Sequence, residues 1–217
     1  EQPQDRVWRR PAVLKRVADG IESAMTPLAG MEEWMDRRGG AVGVPFAIEP
    51  VFGGGGPDTI VVAGDGSSWD LRVWNARGAL SFTITSARER RRATPEELRS
   101  ERADFERKAG MWGEEVVNRI WSRADLEDRT EAPTYEGVWV DACGDIWAGL
   151  WNSASPTGLP APTTALVFDR EGRLRGSVDL PEGVQITEIG VDRLVGVSRD
   201  RFRVERVVAH AVTRSEC

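Results

Sequence analysis

Histidine, lysine and cysteine are nearly absent from this 217-residue chain, and each shortage closes off chemistry. His210 is the only histidine, and no Cys–His or His–Glu cluster supplies the ligands of a transition-metal site. It sits in the alternating run VERVVAHAV. The nearest Ser and Asp, Ser198 and Asp200, fall in loops at no spacing that marks a Ser-His-Asp arrangement, so His210 reads as a half-exposed strand residue and no catalytic residue is assigned. Cys143, in the turn DACGD, and Cys217 lack the CxxC spacing of a zinc or redox site. A disulfide between them is left open, and the compartment with it. The only lysines are Lys15 and Lys108, so arginine carries almost all the positive charge. The arginine clusters at 88–92 and 199–206 are interleaved with acids, and the net charge is −6. Nucleic-acid binding wants a basic excess across the domain, so none is expected. No apolar run is long enough to span a bilayer, and no membrane insertion is expected. The chain begins at Glu1 rather than Met, so the lack of a leader says nothing about targeting.

What the chain has in quantity is strand signal. Short runs rich in Val, Ile, Trp and Thr, bounded by Gly, Asp or Pro, occur at 42–51, 59–64, 69–75, 80–85, 137–141, 146–151, 163–169, 174–180, 185–190, 193–198 and 202–211. Three stretches, 13–30, 71–86 and 165–183, overlay as hairpins whose polar turns close on Gly20, Gly78 and Gly172. A recurring hairpin predicts a repeat architecture. The runs group into four-stranded units at 42–85 and 137–180. A three-stranded unit follows from 185, and 13–17 with 22–28 read as the last two strands of an earlier copy. Four-stranded units of roughly 40–50 residues are the signature of propeller blades.

One segment breaks the pattern. The run TPEE offers Thr94 as N-cap, Pro95 at the first helical position and Glu97 to close a capping box. Leu98, Phe105, Ala109, Trp112 and Val116 then fall near one helical face, with Gly110 and Gly113 splitting the helix. Residues 94–126 therefore read as a helical insertion between blades. The fold expected is all-β with that insertion: one β-propeller over residues 1–217, built of four-stranded antiparallel blades. Two strands, then four, four and three fall short of a closed ring of roughly four to eight blades. The chain is accordingly expected to be the later part of a longer propeller. The competing architectures are an open sandwich and a four-bladed closure using the N-terminal strands.

Several segments carry a family likeness: PFAIEP (45–50), IVVAGDGSSWDLRVWNARGAL (60–80), the insert after TPEE, VWVDACGDIWAGLW (138–151), and LVFDREGRLRGSVDLPEG (166–183) followed by LVGVSRDRFRVERVVAHAV (194–212). With these the chain resembles bacterial six-bladed β-propeller proteins of the NHL-like kind. The resemblance spans most of the chain, through turns, strand cores and blade closures. It implies a partial six-bladed ring and export, to the periplasm or outside the cell. It implies no reaction.

The glycine cluster FGGGGPDT (52–59) lacks the helix and Lys-Ser/Thr of a phosphate loop and reads as a flexible inter-strand loop. The run GDGSSWD (64–70) lacks the alternating oxygens and terminal Glu of a calcium loop and reads as a hairpin turn. In a propeller the first strand of each blade lines the central channel. Glu49, Asp141 and Glu188 fall on or at the ends of such strands, with Asp145 and Asp192 in adjoining turns. Propeller lactonases and related hydrolases hold calcium with channel carboxylates and an Asn, oxygen ligands that suit a hard cation. These three are the metal candidates, against a reading as turn-forming Asp and solvated Glu, and calcium is the only cofactor considered. Nine tryptophans are enough to pack neighbouring blades. Trp147 and Trp151, on one face by period-two alternation, and Asn152 beside them are the candidate ligand residues at a channel rim. The function expected is non-catalytic binding or scaffolding outside the cytoplasm, with a protein, peptide or glycan ligand. The alternative is a calcium-dependent propeller hydrolase or lactonase.

Overall fold

The computed structural model describes residues 6–18, 20–35, 41–44, 46–109, 114–123, 131–152, 161–214 and 217. The chain divides into two compact units. One comprises residues 1–50 and 89–133, the other 51–88 and 134–217.

The first unit holds a long hairpin, β1 (Arg6–Ala18) and β2 (Ile21–Met35), with the short β3 (Ala41–Gly43) paired to the far side of β2. The two strands expected here as the end of a four-stranded blade are instead 13 and 15 residues long, in a three-stranded sheet. The run expected as one strand over 42–51 is also broken. Its first residues pair with β2 and its last, Val51, opens the next strand; between them the Ile48 N–H donates to the buried Glu32 carboxylate at 3.0 Å, and Ile48 O accepts the Glu32 N–H at 3.1 Å. Helix α1 (Pro95–Ala109) starts where the local chemistry dictates. Thr94 N–H donates to Glu97 Oε2 at 2.8 Å and Glu97 N–H donates to Thr94 Oγ1 at 3.2 Å, the reciprocal capping box. Arg91 clasps both Glu97 oxygens at 2.6 and 2.8 Å. That guanidinium, with the cap, holds the Glu97 carboxyl down to about 2. Helix α2 (Glu114–Arg123) follows, and Phe105, Val117, Ile120 and Trp121 from the helices form a core with Trp34 and Val44. Gly110, Trp112, Gly113 and Leu126 lie outside the described residues.

The second unit is three antiparallel meanders. Sheet one is β4 (Val51–Gly55), β5 (Ile60–Gly64), β6 (Leu71–Trp74) and β7 (Leu80–Ile84). Sheet two is β8 (Tyr135–Val140), β9 (Ile146–Leu150), β10 (Thr164–Phe168) and β11 (Leu174–Asp179). Sheet three is β12 (Val184–Ile189), β13 (Arg193–Arg199) and β14 (Glu205–Ala211). The first three strands of the middle sheet are largely buried on both faces, which their period-two alternation makes possible. Val138, Val140, Ile146, Ala148, Leu166 and Phe168 pack with Val62, Leu71 and Val73 of the first sheet. Trp147, Ala165 and Val167 pack the other way, with Ile186, Ile189 and Leu194 of the third. Two polar ties lock the register between layers. The Trp139 indole N–H donates to Ile186 O at 3.1 Å, and the Tyr135 hydroxyl donates to Trp69 O at 3.0 Å. Burial pushes the Tyr135 hydroxyl well above its ordinary range.

One turn recurs in all three meanders. At Asn75, Asp141, Asp169 and Asp200 the side-chain Oδ1 accepts the backbone N–H groups two and four residues on. The same residue's N–H donates to the carbonyl of the fourth residue on, closing a three-residue hairpin loop. The residue three on must take positive φ. It is Gly78, Gly144 and Gly172 in three copies (φ 81°, 88° and 81°) and Arg203 in the fourth (φ 64°). The hairpin at Gly20, overlaid on these from its sequence, is different: Ala18 pairs with Ile21 across a two-residue turn.

Of the glycine cluster expected as a loop over 52–59, the first half is strand β4, and 56–59 form the turn to β5. A Cβ on Gly53 would lie 2.2 Å from the Val138 carbonyl oxygen, so only glycine lets β4 lie against β8. Gly53→Ala is expected to cost about 3 kcal/mol or more by forcing those backbones apart, read as a lowered midpoint in denaturant unfolding; a midpoint within error of the wild type would refute the packing argument. Arg203→Gly should stabilise the protein by about 1 kcal/mol by relieving the left-handed conformation, measured the same way.

Candidate ligand groove

The β8–β9 turn sets the chemistry of the second unit. Asp141, at its first position, is fully buried. Its Oδ1 accepts Cys143 N–H at 2.8 Å and Asp145 N–H at 2.9 Å. Its Oδ2 accepts the Trp147 indole N–H at 2.6 Å and Arg214 Nη1 at 2.5 Å. Four donors occupy the lone-pair directions of a carboxylate. The Arg214 guanidinium also donates through Nη2 to Gly190 O at 3.0 Å and lies 5.5 Å over the Trp147 ring. Next to it, Asp145 is raised above the usual carboxylate range by burial and then by the Asp141 charge, while Arg175 at 3.4 Å and Arg214 at 3.9 Å pull the other way. A disulfide joins Cys143 to Cys217, tying the chain beyond β14 to this same turn.

Beside the turn lies a groove of 880 Å³ between the outer parts of sheets two and three. Trp147, Val167, Leu180 and Leu194 give it an apolar floor, and all four belong to the core between the sheets. Its rims are polar: Arg175, Asp179 and Glu182 on the β11 side, His210 and Arg214 on the β14 side, with Asp145 between. The rims come from strands β11 and β14, whose residues are mostly exposed. The volume lies within the range of small-molecule and cofactor sites, and the lining is of the usual kind, apolar with a few polar groups.

The residues expected to bind ligand separate. Trp147 is buried in the groove floor rather than displayed on a rim. Trp151 and Asn152 follow the end of β9, where Trp151 N–H donates to Thr134 O at 3.2 Å and Asn152 N–H to Glu136 Oε2 at 3.4 Å. Neither lines the groove. The metal candidates are also placed differently from one another. Glu49 is exposed in the segment between β3 and β4, and it belongs to the first unit. Asp141 is buried and hydrogen-bonded as described, and Glu188 is exposed on β12 beside a register shift. Among the described residues, no three His, Cys, Asp or Glu side chains gather where they could hold a metal ion. Arg175 and Arg214 carried no sequence signal, because each acquires its role from a turn distant in the chain. His210 does line the groove, on the face it shares with its cross-strand partner Leu194. No protein-family model matches the chain, and no curated protein matches it.

Exchanging the two aspartates separates their roles. Asp141→Asn retains an acceptor for the turn but presents N–H groups to Trp147 and Arg214, and should cost about 3–5 kcal/mol in denaturant unfolding. Asp145→Asn should be neutral or stabilising at pH 7, since a raised carboxyl penalises the folded state once the unfolded one ionises. That gain should fade as pH falls below the ordinary carboxyl range, where both states are protonated.

Proposed function

We propose that this chain is part of an NHL-like, six-bladed β-propeller that acts outside the cytoplasm as a non-catalytic binding module for a protein, peptide or glycan. The ring reading is supported by the succession of meander sheets in the second unit. Each packs face to face on the next, with the first strand of one beside the first strand of the following one at β4–β8 and β8–β12. The Cys143–Cys217 disulfide supports an oxidising compartment, where such bonds persist. The observation that carries the binding role is the groove, with a buried apolar floor for contact area and charged rims for orientation. The calcium-dependent hydrolase is the weaker reading, because the Asp141 oxygens already accept four donors.

The test is selection from a random displayed-peptide library against the folded protein. Selected peptides are expected to lose at least about tenfold in affinity, ~1.4 kcal/mol, on Arg175→Glu or His210→Glu, both exposed rim changes. Selected binders indifferent to both substitutions would sink the groove as the ligand site.

A further inference from the structure

One wall of the groove is neither strand nor helix. After β14, Val212, Thr213 and Arg214 line the cavity. Val212 N–H donates to Asp192 O at 2.9 Å, the last pairing with the β13 side. Beyond it, the contacts holding this wall are the Arg214 guanidinium, on Asp141, Gly190 O and Trp147, and the disulfide to Cys143. The two cysteines differ in exposure. Cys143 is buried in its turn, whereas Cys217 is exposed.

We propose that residues 212–214, tethered through the Cys217 disulfide, act as a strap that a dithiol reductant releases, and that its release uncovers the groove. A thiolate of the reductant attacks Sγ of the exposed Cys217; the S–S bond breaks and Cys143 Sγ leaves with the electron pair. The second thiol of the reductant then resolves the mixed disulfide. Two electrons pass from the dithiol to the protein, and the two cysteines end as thiols carrying the two protons, while the reductant becomes a disulfide. The Arg170 guanidinium, whose Nε donates to Cys143 O at 2.7 Å, lies beside the leaving sulfur's residue and favours the departing thiolate.

The strap is separable from the fold because of how Asp141 is held. With Arg214 withdrawn, the carboxylate keeps three donors: Cys143 N–H, Asp145 N–H and the Trp147 indole. The β8–β9 turn therefore survives, and Asp145 retains Arg175. While the disulfide is closed, the strap cannot leave at all. Once it is open, the Arg214 contacts, the Val212 pairing and the packing of Val212 on the core between the sheets hold the strap reversibly. The gating role rests on the reading of this groove as a ligand site; the release of the strap does not.

Hydrogen exchange on the oxidised protein, the dithiol-reduced protein and Cys217→Ser tests the release, with binding of the dye anilinonaphthalene sulfonate reporting access to the groove floor. The amide of Val212, hydrogen-bonded to Asp192 O, should exchange at least about tenfold faster in the reduced and Cys217→Ser forms, with those of β8–β10 unchanged and dye binding increased. Equal strap exchange in all three forms would overturn the proposal. So would parallel acceleration throughout β8–β10, which would make the disulfide a clamp on the whole unit, or strap release with no gain in dye binding. Selected peptides that ignore Arg175→Glu and His210→Glu would instead remove the ligand-site reading and leave the release of the strap standing.

Discussion

The second unit depends on a single buried carboxylate. Asp141 cannot stay charged and out of water unless its oxygens are satisfied, because an uncompensated buried charge costs several kcal/mol. Each of its donors is thereby placed. The two backbone N–H groups shape the β8–β9 turn, the Trp147 indole is fixed in orientation at the groove floor, and Arg214 is drawn in from beyond β14. A floor, an end and a wall of the groove thus answer to one acceptor. The disulfide reinforces the last of these, joining cysteines 74 positions apart in the chain. Closing a loop of that size removes entropy from the unfolded chain worth about 4.5 kcal/mol in the loop-closure account.

Around that anchor, the sheets stack because the middle one is apolar on both faces. Burial is deepest at the inner strands, and the outer strands β11 and β14 are largely exposed. A cavity with an apolar floor and charged rims is what such a gradient leaves where two sheets meet near their outer strands. Close approach is set elsewhere by absence of side chain: β4 lies against β8 only because Gly53 has no Cβ to meet the Val138 carbonyl. The first unit is organised by different means, with a capped helix pair supplying aromatic and aliphatic side chains to a core shared with Trp34 and Val44.

Much of this was legible where the physics is local. Thr94, Pro95 and Glu97 announce a helix start within four residues, and the helix begins there. Three of the four side-chain-capped turns could be read from Asn or Asp followed three residues later by Gly. The fourth, at Asp200, was hidden because Arg203 adopts the conformation that glycine usually supplies. The glycine cluster misled for a related reason. Taken alone, FGGGG has the composition of a loop, and what makes its first four residues a strand is a neighbouring sheet remote in sequence. Val42 and Glu49 were assigned to one inner strand because apolar alternation does not reveal that the Glu32 carboxylate takes the Ile48 N–H.

By itself, the sequence determined the all-β class, the inserted helices and most hairpins, since caps, alternation and turn residues act over a few positions. Tertiary structure decided the rest: which sheet covers which, that Trp147 is a buried floor and not an exposed rim, that Cys143 meets Cys217, and that Arg214 closes on Asp141. These are contacts between residues far apart in the chain. Their energies come from burial and charge compensation, which no short window of sequence contains.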